Sequence, residues 1–169
     1  MNEQIYEYLK QDKKFNPLID RVLLIVGAIL TVLGFALFHP VRGEGYMFLA
    51  FVGMWCILIV LFRLMAKAGY HKSLKKSLAT LERTGSINYI GEITNRAYTV
   101  ADKCGFSEHL VYLPGVAVLA YQDIVKIYSV KMDYYFVTTD TQKHRLRITS
   151  REAEQIQIRK DNLLRGAKA

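Results

Sequence analysis

Two uncharged apolar runs constrain this chain more than any other feature: Val22 to Phe38, 17 residues reading VLLIVGAILTVLGFALF, and Gly45 to Phe62, 18 more. A helix needs roughly 20 residues to cross about 30 Å of hydrocarbon, and the flanks supply the difference. Asp20 and Arg21 are placed to pair near one interface, while Arg63 and Lys67 have stems long enough to snorkel toward headgroups. A soluble hairpin of two all-round apolar helices would need more covering protein than 169 residues provide. A cleaved leader fits no better, because the run is long, no small-residue cleavage site follows it, and FHPVRGEG turns directly into the second run. The pattern predicts a transmembrane hairpin over residues 17–66, with spans at about 18–38 and 45–65.

Charge sets its orientation. Lys10, Lys13, Lys14 and Arg21 precede the first span, and Arg63, Lys67, Lys72, Lys75 and Lys76 follow the second, while Arg42 stands alone between them. By the excess of Lys and Arg near span ends, both termini are expected in the cytoplasm of a multi-pass plasma-membrane protein. The chain carries a formal +8, of which residues 63–83 hold +5. That concentration beside the apolar region suits anionic lipid better than nucleic acid, so no nucleic-acid partner is expected. Gly27, Thr31 and Gly34 line one face of the first span and Gly53 lies in the second. Such small residues permit close helix approach, either within the hairpin or with another copy in a homo-oligomer. Residues 1–16 read as a cytoplasmic tail.

Residues 67–85 continue as a basic amphipathic helix. Leu74, Leu78 and Leu81 recur at helical spacing, with a loosening predicted at Gly69 and a stop at Gly85. Arg63, Lys67, Lys72, Lys75 and Lys76 are therefore candidate contacts for membrane lipid. After Gly85 the period changes. INYIGEI, AYTVAD, EHLVYLP, VAVLAY, DIVKIYSV, YYFVTT and HRLRIT read as seven short strands of an antiparallel meander, with turns at Pro114–Gly115, Met132–Asp133 and Thr139–Lys143. In the last strand His144, Leu146 and Ile148 point one way and Lys143, Arg145, Arg147 and Thr149 the other. A helix follows, with Thr149 and Glu152 forming a capping box, Ser150 as a competing cap, and Ala153, Ile156, Leu163 and Leu164 as its apolar stripe.

The passage EHLVYLPGVAVLAYQDIVKIYSV, followed by YYFVTTDTQKHRLRITSREAEQI, resembles small bacterial membrane-anchored PH-like (pleckstrin-homology-like) domain proteins, in which the domain stands behind one or two spans. The shared pattern is an aromatic and an acidic residue before an Ile-Val pair and a closing Tyr, here Tyr121, Asp123, Ile124, Val125 and Tyr128. The resemblance implies, for residues 86–169, a cytosolic seven-stranded antiparallel PH-like roll of α+β class with a C-terminal helix. It does not imply phosphoinositide binding, since GEITNRAYT offers only Arg96 beside Glu92.

No phosphate loop, HExxH, CxxC or nucleophile elbow occurs, and His39, His71, His109 and His144 lack metal-ligand spacing. Cys56 and Cys104 read as free thiols, and Cys104 with His109 as mere neighbours. No catalysis, cofactor or metal is expected. The expected function is a membrane-anchored interaction or scaffold module with a protein partner, presenting Tyr134, Tyr135, Arg145 and Arg147, residue types favoured in interfaces. The alternatives are a sensor of anionic lipid headgroups acting through the basic helix and a small subunit of a transport complex.

Overall fold

The Asn16 side chain accepts a hydrogen bond from the Leu18 amide at 3.0 Å and Pro17 follows it, a cap and first-turn pair that starts α2 (Pro17–Ala36) just ahead of the first apolar run. In this computed structural model, which describes residues 3–11, 16–37 and 44–166, two further long elements matter: α1 (Glu3–Gln11) and α3 (Glu44–Thr84). Residues 38–43 of FHPVRGEG, which include His39 and Arg42, and Lys13 and Lys14 of the first flank lie outside the described residues. The chain divides into two compact units, Lys14–Gly69 and Met1–Lys13 with Tyr70–Ala169.

Within Lys14–Gly69, α2 and the first part of α3 are long and apolar enough to cross a membrane. They meet through small residues. A methyl group built on Gly27 would stand 2.9 Å from the Gly53 carbonyl, and one on Gly34 would strike the Ala50 backbone. Thr31, between the two glycines, keeps its hydroxyl satisfied by donating to the Gly27 carbonyl at 2.7 Å. The small-residue face is thus spent inside the hairpin. Asp20 pairs with Arg63 of the facing helix at 2.6 Å rather than with Arg21, because the adjacent residue on the same turn points elsewhere. The outward side chains, among them Val32, Phe35, Phe48, Trp55 and Phe62, are exposed.

The other unit is built around two antiparallel sheets. Strands β1 (Thr99–Ala101), β2 (Cys104–Phe106), β3 (Leu110–Leu113) and β4 (Ala117–Ala120) form one, in that order, and β5 (Ile124–Val130), β6 (Asp133–Thr138) and β7 (Lys143–Leu146) form the other. Helix α5 (Ser150–Gly166) follows. Seven strands are present among the described residues, but not the seven read from sequence. INYIGEI folds instead as a 3-10 turn (Ser86–Ile90) and a short α4 (Gly91–Thr94), and the unread Cys104–Phe106 takes the place of the missing strand. Ile90 and Ile93 are three residues apart and both buried, a helical spacing that the β-branched composition disguises. Gly105 in β2 allows the Tyr98 ring to lie against the strand, where any Cβ would collide with it.

Strands β3 and β4 are buried at every position. One face, with Val111, Leu113, Ala117 and Leu119, joins Phe136, Leu146 and Ile156 in the interior between the sheets and α5. The other face, with Leu110, Tyr112, Val118 and Ala120, is covered by Leu74, Leu78 and Leu81 of α3 and by Tyr6 and Leu9 of α1. The basic amphipathic helix therefore turns its apolar stripe to the sheet, and residues 3–11 form a helix packed against the same cluster. Ser77, wholly buried, accepts the Val118 amide at 3.1 Å on the free side of β4, so α3 also closes that sheet's edge. Gly69, where a loosening is predicted, lies inside α3 without interruption, while Gly85 at φ +76° ends the helix as expected. The Thr149–Glu152 capping box forms, the Glu152 amide donating to Thr149 Oγ1 at 3.2 Å and the Thr149 amide to Glu152 Oε2 at 2.6 Å.

Leu78→Ala removes a side chain that is 1% exposed, and is expected to destabilise the β unit by about 2–4 kcal/mol. Denaturant titration in detergent, followed by tyrosine near-UV dichroism, measures this. Ile158→Ala on the open side of α5 is expected to change stability by less than about 0.5 kcal/mol.

Candidate interaction surface

The outer face of the β5–β6–β7 sheet follows from strand alternation. Register places Tyr128 opposite Tyr135 and Tyr135 opposite Arg145, so one row crosses all three strands as aromatic, aromatic, guanidinium. The Tyr128 and Tyr135 rings stack 5.3 Å apart at an interplanar angle of 10°, and the Lys126 ammonium stands 5.8 Å from the Tyr128 ring centre. Such cross-strand aromatic pairs stabilise a sheet and leave their ring edges available. The next row pairs Val130 with Asp133.

Asp133 organises the cations. Its Oδ2 accepts from Arg145 Nε at 2.9 Å and from Arg145 Nη2, and its Oδ1 accepts from Arg147 Nε at 3.1 Å. The Arg145 hydrogen bonds hold its carboxyl below the usual carboxylate range. One carboxylate thus anchors two arginines whose side chains remain 56% and 82% exposed.

Of the four predicted partner-surface residues, the structure brings Tyr135, Arg145 and Arg147 together. Tyr134 lies on the opposite face, paired with Leu146 and packed against the interior. Neighbours in a strand point to opposite sides, so Tyr134 and Tyr135 cannot share a surface. The same period-two rule, applied along β5 as well as β7, would have marked Lys126 and Tyr128; Asp133 carries no sequence signal beyond its place at a turn.

The predicted lipid contacts are engaged differently. Arg63 is on Asp20, Lys75 lies 5.1 Å from the Tyr6 ring centre, and Lys76 donates to the Lys143 carbonyl at 2.7 Å. Lys72 is exposed and Lys67 partly buried. Cys104 is buried in the interior, where burial pushes its thiol pKa up, whereas His109 is bound by Nδ1 to Glu92 at 2.5 Å and stacked on Tyr89. Burial works against ionisation of Glu92, but hydrogen bonds from Ser107 and His109 bring it below the ordinary carboxylate range. Tyr121 and Asp123 form a 3-10 turn, and Asp123 accepts from Thr84 at 2.7 Å, joining β5 to the end of α3. Among the described residues no three His, Cys, Asp or Glu side chains are placed to hold a metal ion.

Beneath β7, His144 is 2% exposed with its Nε2 3.2 Å from Thr80 Oγ1, beside Lys76, Asp140 and Arg83. Burial, assisted by Lys76, pushes its pKa down to about 4. The unfolded chain takes up this proton near pH 6.5 while the folded one resists, so stability is complete above about pH 6.5 and is lost as pH falls toward 4. The unfolding midpoint of the β unit is expected to drop across that window by the equivalent of about 3 kcal/mol, and His144→Asn to flatten the slope. Thermal melts at successive pH values measure it.

The chain matches no protein-family model, no curated protein and no solved structure.

Proposed function

We propose that this protein is a membrane-anchored interaction module. In this reading α2 and the first part of α3 cross the plasma membrane as a hairpin with both termini in the cytoplasm, and a PH-like domain recruits or assembles a protein partner without catalysis. Four antiparallel strands, then three, then a helix, is the order that supports the PH-like assignment. Exposed Phe, Trp, Val and Leu around the hairpin support the membrane assignment, since such a surface is costly in water and natural in lipid.

The observation that carries the partner reading is the outward row Tyr128–Tyr135–Arg145, with Lys126 and Arg147 beside it. Tyrosine and arginine are the residues that most often dominate binding energy at interfaces, and here the arginine is already oriented by Asp133. Confinement to a membrane raises the effective concentration of a partner in the same bilayer, so a modest surface suffices. Headgroup sensing by Lys72, Lys75 and Lys76 is less well supported, because the leucine stripe beside them is buried and Lys76 already serves the Lys143 carbonyl.

Combined Tyr128→Ala, Tyr135→Ala and Arg145→Ala substitutions are expected to weaken recovery of proximity-labelled partners by about tenfold or more, each hot-spot truncation costing about 2 kcal/mol. Tyr134→Phe, on the inner face, is expected to leave labelling unchanged. Equal labelling by the triple variant and the parent would remove this surface from consideration.

A further inference from the structure

The β5–β6 hairpin ends in a turn that water does not suit. Met132 is 89% exposed, the most exposed of the large apolar side chains described, and Val130 is 48% exposed. Lys131 between them has φ +57°, the left-handed conformation that closes the tight turn. At the same end of the sheet Arg147 gives Asp133 only its Nε, and an 82% exposed side chain leaves the rest of the guanidinium to solvent. Arg145 and Arg147 are held on the Asp133 carboxylate, and Lys131 lies in the turn between Val130 and Met132, so this end of the sheet carries three positive charges against one negative. An apolar tip is thus collared by cations.

We propose that this tip docks on an anionic bilayer surface, with Met132 and Val130 entering the interfacial zone and Lys131 and Arg147 meeting the headgroups. The inference goes beyond partner recruitment and rests on the membrane residence put forward above. Its occupant is a lipid surface: Met132 and Val130 are exposed and apolar, and the cations beside them, Lys131 and Arg147, complement anionic headgroups. A bilayer needs no complementary shape: a short apolar element enters the boundary between headgroups and chains, and nearby cations add attraction to anionic lipid. Methionine, unbranched and flexible, adapts to such a disordered medium. Asp133 also has a part, since it keeps Arg147 extended beside the tip while its own charge is met by two arginines.

The test uses the full chain with Trp55→Phe, which removes the one native tryptophan, and Met132→Trp, which places a single indole at the tip. It is reconstituted in phosphatidylcholine vesicles with and without phosphatidylserine, some lipids carrying bromine along the acyl chain. Flotation reports membrane residence independently. With phosphatidylserine, a blue-shifted indole emission that loses about half its intensity to brominated lipid is expected, and the quenching should recede when salt is raised to about 0.5 M. Lys131→Gln with Arg147→Gln should also abolish the quenching while far-UV dichroism stays unchanged. Protein that floats without quenching of the introduced indole overturns the docking inference and leaves the anchor standing. Quenching that ignores phosphatidylserine and salt overturns the anionic recognition. Protein that fails to float overturns the anchor, and the docking with it.

Discussion

Within the β unit, most of the architecture depends on the docking of the last turns of α3 against the outer face of β3 and β4. Leu74, Leu78 and Leu81 bury there, each by an amount worth about 2 kcal/mol, and convert a sheet with one dry face into one with two. That explains why LVYL and AVLA are continuous apolar runs with no alternation: no position on these strands meets water. The polar residues of the same helix turns complete the joint. Ser77 closes the β4 edge, Thr80 and Arg83 reach Asp140 in the β6–β7 turn, and Thr84 reaches Asp123 before β5. One helix segment therefore ties both sheets together, with α1 adding Tyr6 and Leu9 to the same cluster.

The second sheet is arranged differently. Its inner face, with Phe136, His144 and Leu146, belongs to the interior, and its outer face is left open. Exposed ion pairs contribute little to stability, so the Asp133–Arg145–Arg147 arrangement is better understood as positioning two guanidiniums than as holding the fold. The stacked Tyr128 and Tyr135 rings supply flat apolar area next to those cations. Aromatic area, fixed positive charge and an apolar hairpin tip thus lie together on one open sheet.

The hairpin unit obeys another rule. Close backbone approach through Gly27, Gly34 and Gly53 and the interhelical Asp20–Arg63 pair hold its two helices together. Helix α3 belongs to both units along its length. Its large apolar side chains up to Met65 include many that are exposed, and its leucines from Leu74 onward are wholly buried.

Local pattern by itself determined much of this protein. Uncharged run length marked the two long helices, the period-two alternation of His144, Leu146 and Ile148 against Arg145 and Arg147 marked β7 and its faces, and Thr149 with Glu152 marked the start of α5. Each of these signals is complete within a few neighbouring residues, so no distant contact is needed to read it. Tertiary structure alone decided where the amphipathic stripe of α3 is buried, because leucines at helical spacing announce an apolar face without naming the surface that covers it. It also decided that INYIGEI is helical, since burial of Ile90 and Ile93 in the cluster shared with Leu110 and Tyr112 of β3 outweighs β-branched composition, and that Asp20 chooses Arg63. The outward surface was half legible for the same reason. Arg145 and Arg147 announce their face by alternation within one strand, but their meeting with Tyr128, Tyr135 and Asp133 depends on register between strands, which only the folded sheet sets.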